Sequence, residues 1–86
     1  MASYRVDFSR SAAKELRKID KQWIPRIIDA AEALGAEPRP NGCKKLAGSD
    51  HTYRIRVGDY RIIYDIQDAA LVVLVIRVRS RGDAYR

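Results

Sequence analysis

Arginines are the residues of this chain best suited to chemistry on an anion, and they crowd its second half. Every lysine or arginine position after Lys45 is an arginine. These residues are Arg54, Arg56, Arg61, Arg77, Arg79, Arg81 and Arg86. A planar guanidinium group can hold two phosphate oxygens at once and stays protonated at neutral pH. The second half of the chain is therefore a candidate binding surface for phosphate groups.

Tyrosines are interleaved with these arginines, at Tyr53, Tyr60, Tyr64 and Tyr85. Aromatic rings stack on the unpaired bases of single-stranded nucleic acid, so their presence beside arginines favours RNA as the anion. Tyr53 and Tyr64 have a second interpretation, because a hairpin register would place them on the apolar side of a sheet, in the core.

A predicted β-hairpin determines which of these arginines face each other. Residues 52–57 and 60–66 are β-rich runs separated by Gly58-Asp59, which indicates a tight two-residue turn. In that register Arg56 lies directly opposite Arg61, and Arg54 lies opposite Ile63. Like charges that face each other across a ladder destabilise it, so an anion bound on that side would offset the repulsion.

The remaining elements complete an α+β fold. A strand over 4–8 is followed by Ser9 as a helix cap and by apolar residues at helical spacing, and a second helix has Pro25 in its first turn and ends at Gly35. The apolar run Leu71–Val78 predicts a strand covered on both faces. We expect one domain over residues 1–86, with the first strand and a helical hairpin packed on one face of a mainly antiparallel sheet.

Composition limits the other possibilities. The chain has 17 Lys and Arg against 11 Asp and Glu, a net charge of +6 that favours a polyanionic partner or simply aids solubility. A single cysteine and a single histidine exclude an internal disulfide and a closed structural zinc site. The longest apolar run is too short to span a membrane. We therefore expect a cytoplasmic protein with no metal or small-molecule cofactor and no membrane partner.

His51 is a further candidate for acid–base chemistry, because an imidazole titrates near neutral pH. It lies in a polar stretch before the hairpin, where a lone histidine is more often only an exposed polar residue. No glycine-rich phosphate loop and no Ser-His-Asp arrangement is visible in the sequence.

The hairpin block Tyr53–Tyr64 resembles that of the RelE toxins of bacterial toxin–antitoxin systems. In this chain it is preceded by Lys45-Leu46 and followed by an apolar strand, a late arginine and a terminal tyrosine. The opening segments Tyr4–Ser9 and Ala12–Leu16 are similar to the first strand and helix of that family. The resemblance covers nearly the whole chain.

The resemblance implies a ribosome-dependent endoribonuclease that cleaves messenger RNA in the ribosomal A site and inhibits translation. Its partners would be the ribosome, messenger RNA and an acidic, RelB-like antitoxin. The family's reaction is metal-free: the ribose 2′-hydroxyl attacks the adjacent phosphate. The catalytic residues that the resemblance implies are Arg54, Arg56, Arg61, Arg81 and Tyr85. Predicted RNA-binding residues are Arg54 and Arg56, together with Lys44, Lys45, Arg77 and Arg79.

The chain departs from the family pattern at two positions. Arg54 stands where some members have lysine, and Ser80 stands where many have histidine. Arginine is a poor general base because its pKa lies above 12, so the sequence does not identify the base. Two alternatives stay open: a ParE-like toxin that inhibits DNA gyrase without catalysis, and an RNA-binding module without turnover.

Overall fold

The computed structural model describes residues 3–80, in which two helices pack on one face of a five-stranded sheet. The strands are β1 (Arg5–Phe8), β2 (Lys44–Lys45), β3 (Thr52–Val57), β4 (Tyr60–Gln67) and β5 (Val72–Ser80), and the helices are α1 (Arg10–Arg17) and α2 (Ile24–Ala33). The strand order is β1-β5-β4-β3-β2, with β1 parallel to β5 and all other neighbours antiparallel. Neither of these helices is long and apolar enough to cross a bilayer.

The helical hairpin begins and ends where the sequence predicts. The Ser9 hydroxyl accepts a hydrogen bond from the Ala12 amide at 3.0 Å, which satisfies one of the free amides at the start of α1. Pro25 occupies the first turn of α2, where its missing N–H costs nothing. After α2, the Tyr4 amide donates to the Gly35 carbonyl at 2.8 Å, which ties the end of the hairpin to the start of β1.

The β3–β4 hairpin has the predicted register, with Arg56 opposite Arg61 and Arg54 opposite Ile63. Gly58 in its turn has a φ of +60° and lies against Cη2 and Cζ3 of the Trp23 ring, so that a Cβ at this position would overlap the indole. Trp23 immediately precedes α2, and its ring also packs against Tyr60 at a centroid distance of 5.7 Å. The second helix thus holds the hairpin turn, and with it the cross-strand arginines.

The core lies between the helices and the inward face of the sheet. Its largest fully buried side chains are Tyr64, Ile27, Leu34, Ile62, Val73 and Val75. The prediction that Tyr64 belongs to the core is confirmed, and Tyr53 packs against that core while remaining partly exposed.

The prediction that Leu71–Val78 forms a strand covered on both faces is wrong. Buried Val73 and Val75 alternate with half-buried neighbours, and Leu71 lies before the strand in an exposed left-handed turn. The apolar run arises because β5 lies between two strands, and because a bulge at Ile76 interrupts the alternation. Beyond the bulge Val78 points into the core, so its neighbours on either side along the strand point to the opposite face.

Candidate nucleic-acid interface

The face of the sheet away from the helices carries a cluster of cations that we call the arginine face: Arg54, Arg56, Arg61, Arg77 and Arg79. Alternation along each strand places these residues on one side. Three of them, Arg56, Arg61 and Arg79, lie directly opposite one another across β3, β4 and β5. We call these three residues the arginine row. The structure therefore brings together five of the residues predicted from sequence.

Burial differs sharply along the arginine row. Arg61, in the middle, is only 6% exposed and is the buried charged residue of the described part of the chain, whereas Arg56 is exposed. A buried guanidinium is costly unless its charge and its donors are compensated. The sequence predicted that Arg56 and Arg61 face each other, but it did not predict that Arg61 is buried.

Lys44 and Lys45 lie on opposite sides of the sheet. Lys44 lies opposite Arg54 and joins the arginine face at the edge of the sheet. Together with Asn41, Gly42 and Arg56, these two residues line a cleft of about 400 Å³. Lys45 instead pairs with Tyr53, on the other side of the sheet, and its ammonium group lies 3.9 Å from an Asp50 carboxylate oxygen. Of the two predicted lysines, Lys44 extends the arginine face.

At the opposite edge of the arginine face lies Glu15, which the sequence analysis missed. Its Oε1 accepts a hydrogen bond from the Val78 amide at 3.0 Å, and its Oε2 lies 3.2 Å from Nε of Arg79 and 4.0 Å from Nη1 of Arg77. Because β1 pairs with β5 only as far as Val75, β1 offers no carbonyl group to the Val78 amide, and Glu15 supplies the acceptor instead. The signal available in the sequence was the shortness of the first predicted strand relative to the last.

His51 lies near the far end of the same face. Its Nε2 is 4.0 Å from Oδ2 of Asp65, whose other oxygen accepts a hydrogen bond from the Thr52 hydroxyl at 2.6 Å. Thr52 is four residues from Arg56 along β3, which corresponds to about 13 Å at the rise of a β-strand. The histidine therefore does not reach a phosphate bound at the arginine row.

Another arginine lies beyond the end of β4 and has full counter-charge. The Arg39 guanidinium donates to both carboxylate oxygens of Asp68, at 2.9 and 3.4 Å, and to the Tyr53 hydroxyl at 3.2 Å. The Tyr4 hydroxyl also donates to Asp68, at 2.6 Å. These hydrogen bonds, that of Arg39 first, lower the pKa of the Asp68 carboxyl, whereas the bond to Asp68 raises the pKa of Tyr4.

Two of the predicted catalytic residues, Arg81 and Tyr85, lie outside the described residues. Within residues 3–80, no group of three His, Cys, Asp or Glu side chains lies close enough together to hold a metal ion. What the described side chains offer is positive charge in a fixed cross-strand arrangement. Such an arrangement can bind phosphate groups and stabilise additional negative charge on them.

Comparison with known proteins matches these features to a family of toxins. Residues 6–85 match the family described as the ParE toxin of the type II toxin–antitoxin system parDE. The chain is 33% identical to toxin RelG of Mycobacterium tuberculosis, over 96% of this chain and 97% of the relative. It is 31% identical to the mRNA interferase toxin RelE of Escherichia coli, over 96% of this chain and 90% of that toxin.

The fold agrees with this assignment. The structure is similar to a chain in the crystal structure of the toxin–antitoxin complex RelBE2 from Mycobacterium tuberculosis, with a TM-score of 0.81 and 29% sequence identity. The similarity covers 93% of this chain and all of that one. The predicted α+β architecture, with a helical hairpin on one face of a mainly antiparallel sheet, is confirmed.

Proposed function

Because the chain belongs to the RelE/ParE family of toxins from type II toxin–antitoxin systems, we propose that it is a ribosome-dependent endoribonuclease that cleaves messenger RNA in the A site. The observation that carries this proposal is the arginine row, in which Arg56, Arg61 and Arg79 face one another across three strands. Selection for stability alone does not favour three cations in one row. An RNA phosphate on this face offsets their repulsion.

In the proposed reaction the ribose 2′-oxygen attacks the adjacent phosphorus. The new P–O2′ bond forms as the P–O5′ bond breaks, which yields a 2′,3′-cyclic phosphate and a free 5′-hydroxyl. The proton of the 2′-hydroxyl passes to a base, and the departing 5′-oxygen takes up a proton. Negative charge accumulates on the non-bridging oxygens in the transition state, where preorganised donors act most strongly.

The residues have separate roles in this step. Arg61 holds the non-bridging oxygens of the scissile phosphate and Arg56 reinforces it, while Arg54 binds the RNA backbone beside them. Arg81 stabilises or protonates the leaving oxygen, and Tyr85 stacks on a base. The arginines stay protonated at neutral pH, so the proton of the 2′-hydroxyl leaves to a group outside the arginine row.

The proposed partners follow from the same surface. A solved relative is a toxin–antitoxin complex, and this chain carries a net charge of +6. We propose that an acidic, RelB-like antitoxin holds the toxin inactive by covering the arginine face. Complementary charge of this kind makes association fast and sensitive to salt.

The test compares Arg61→Gln with Arg10→Gln in a purified translation system. Both changes remove one positive charge, but Arg10 is exposed at the start of α1, on the helical side of the sheet. We expect Arg61→Gln to reduce ribosome-dependent cleavage by about 10²–10³, the usual effect of losing one charge-stabilising donor. Arg10→Gln should cleave like the parent.

Cleavage is mapped by primer extension on messenger RNA bound to ribosomes, with thermal melting of each variant to confirm folding. Equal cleavage by a folded Arg61→Gln variant and the parent would refute the assignment of Arg61. The same preparations are added to a gyrase supercoiling assay. Inhibition of gyrase by a protein that leaves ribosomal messenger RNA intact would establish the ParE-like alternative instead.

A further inference from the structure

The cations of the arginine face are not equivalent, because a carboxylate lies at only one of its edges. Glu15 lies 3.2 Å from Arg79 and 4.0 Å from Arg77, at the β5 edge. At the β2 edge, Lys44, Arg54 and Arg56 have no carboxylate of residues 3–80 within 4.0 Å. The face thus has a compensated edge and an uncompensated edge.

Glu15 is fixed in this position by the fold and cannot simply swing into solvent. It lies on α1, which is capped by Ser9, and its Oε1 accepts the Val78 amide at 3.0 Å while its Oε2 faces Arg79. Its side chain is only 25% exposed. An ion pair of low exposure is screened less by salt than one on an open surface.

We propose that Glu15 is an internal counter-ion that determines where a nucleic-acid backbone lies on this protein. It occupies Arg79 and Arg77 in the free protein, so that RNA phosphates bind along Lys44, Arg54 and Arg56, up to Arg61. The inference rests on the proposed function in one respect, which is that the bound polyanion is RNA. Glu15 is a positioning residue here, since it directs the RNA through the arginines that it occupies.

Counter-ion release provides the readout. Each phosphate that a protein cation neutralises on a single strand contributes about 0.7 to the slope of log K against log salt concentration. Removing the charge of Glu15 frees Arg79 for a phosphate. The Glu15→Gln variant should therefore show a slope steeper by about 0.7, and binding about fivefold tighter at 0.1 M salt. Its amide oxygen can still accept the Val78 N–H, which preserves the edge of β5.

The experiment measures binding of the full chain to a 2′-O-methyl RNA dodecamer, which has no 2′-hydroxyl and so cannot be cleaved by the proposed reaction. Glu32→Gln is the matched control, because it makes the same change in net charge at an exposed position of α2. A third comparison introduces Glu15→Gln into an Arg77→Gln/Arg79→Gln protein. There the steeper slope should disappear, because the arginines that Glu15 occupied are gone.

A slope change no larger in Glu15→Gln than in Glu32→Gln overturns the proposal, as does an effect that persists without Arg77 and Arg79. A second measurement needs no change at Glu15: Arg56→Gln should lower the slope by about 0.7, and Arg79→Gln should lower it by less, because Glu15 already occupies Arg79 in the free protein. Equal losses from both would also overturn the proposal. Either failure leaves the proposed ribosomal cleavage intact. A parent that does not bind the oligonucleotide overturns the Glu15 proposal alone, because cleavage is proposed only on the ribosome.

Discussion

Arginines at the two ends of β4 have opposite electrostatic environments. At the far end, Arg39 donates to both oxygens of Asp68 and to the Tyr53 hydroxyl, and its guanidinium lies 5.3 Å from the centroid of the Tyr53 ring. At the hairpin end, the cross-strand neighbours of Arg61 are two more arginines. Arg39 thus lies among groups that stabilise its charge, whereas Arg61 lies in the middle of a row of cations.

The difference separates an arginine that maintains the fold from the arginines to which we assign RNA binding. Arg39 holds the connector after α2 against the end of the sheet, and the Tyr64 hydroxyl reinforces this attachment by donating to the Pro38 carbonyl at 2.8 Å. Burial raises the pKa of Tyr64 above its usual range, so that this hydroxyl stays a donor. In the arginine row, the Glu15 carboxylate lies at one edge, 3.2 Å from Nε of Arg79.

The largest effect on stability is expected at the hairpin turn. Alanine at Gly58 would have to adopt a φ of +60° and would place its Cβ in the Trp23 ring. The left-handed backbone costs about 1–2 kcal/mol and the overpacking about 1–3 kcal/mol more. We expect Gly58→Ala to lower the free energy of unfolding by the sum of both, measured by urea denaturation. The arginine row should be disturbed at the same time, with weaker RNA binding.

Gly48→Ala is the matched control for this prediction. Gly48 has a φ of +82°, but a Cβ there meets nothing within 4 Å. Only the backbone cost of about 1–2 kcal/mol applies, and RNA binding should not change. Equal destabilisation by the two substitutions would mean that Trp23 does not fix the turn, and the link between α2 and the arginine row would be lost.

The contrast between the two ends also explains what the sequence could predict. Gly58-Asp59 fixes the hairpin turn locally, and alternation then determines every pair from Tyr53–Tyr64 to Val57–Tyr60, all of which the structure confirms. The residues of a contact such as Arg39–Asp68 lie 29 positions apart in the sequence, and the contact depends on the path of an irregular connector. The spacing of apolar and polar residues in the sequence does not predict the path of an irregular connector.

Glu15 was missed for a related reason. Its partners are a backbone amide at an unpaired strand edge and two arginines displaced by the bulge at Ile76. The bulge cannot be derived from residue types, because an apolar β-branched run is equally compatible with unbroken alternation. The sequence predicted the cations of the site, but the distribution of counter-charge around them required the tertiary structure.

A smaller effect is expected from Arg39→Gln. This change removes a bidentate ion pair and a cation–π contact, both partly exposed, which together contribute about 1 kcal/mol. We expect the midpoint of thermal unfolding to fall while the folded protein binds and cleaves RNA like the parent, whereas Arg61→Gln should reduce cleavage. Arg5→Gln breaks a more exposed pair with Asp7 and should change stability less. Loss of cleavage in folded Arg39→Gln would remove the distinction between the two ends of β4.

The smallest expected effect is a pH dependence confined to the Arg39 end. The hydrogen bond from Arg39, followed by that from Tyr4, lowers the pKa of Asp68 in the folded protein below its value of about 4 in unfolded chains. A group with a depressed folded pKa contributes stability that is present above the unfolded pKa and is lost as the pH falls through the folded one. The contribution of Asp68 should therefore be complete at pH 7 and disappear below about pH 4.

Asp68→Asn isolates this contribution from the other carboxylates, which titrate equally in both proteins. We expect the variant to unfold at a lower temperature than the parent at pH 7, and the difference to shrink steadily as the pH falls below about 4. Thermal melts at closely spaced pH values measure that difference. A difference that stays constant down to pH 2.5 would mean that Asp68 acts through hydrogen-bond geometry and not through its charge. Arg39 would then lack the electrostatic compensation that sets it apart from the arginine row.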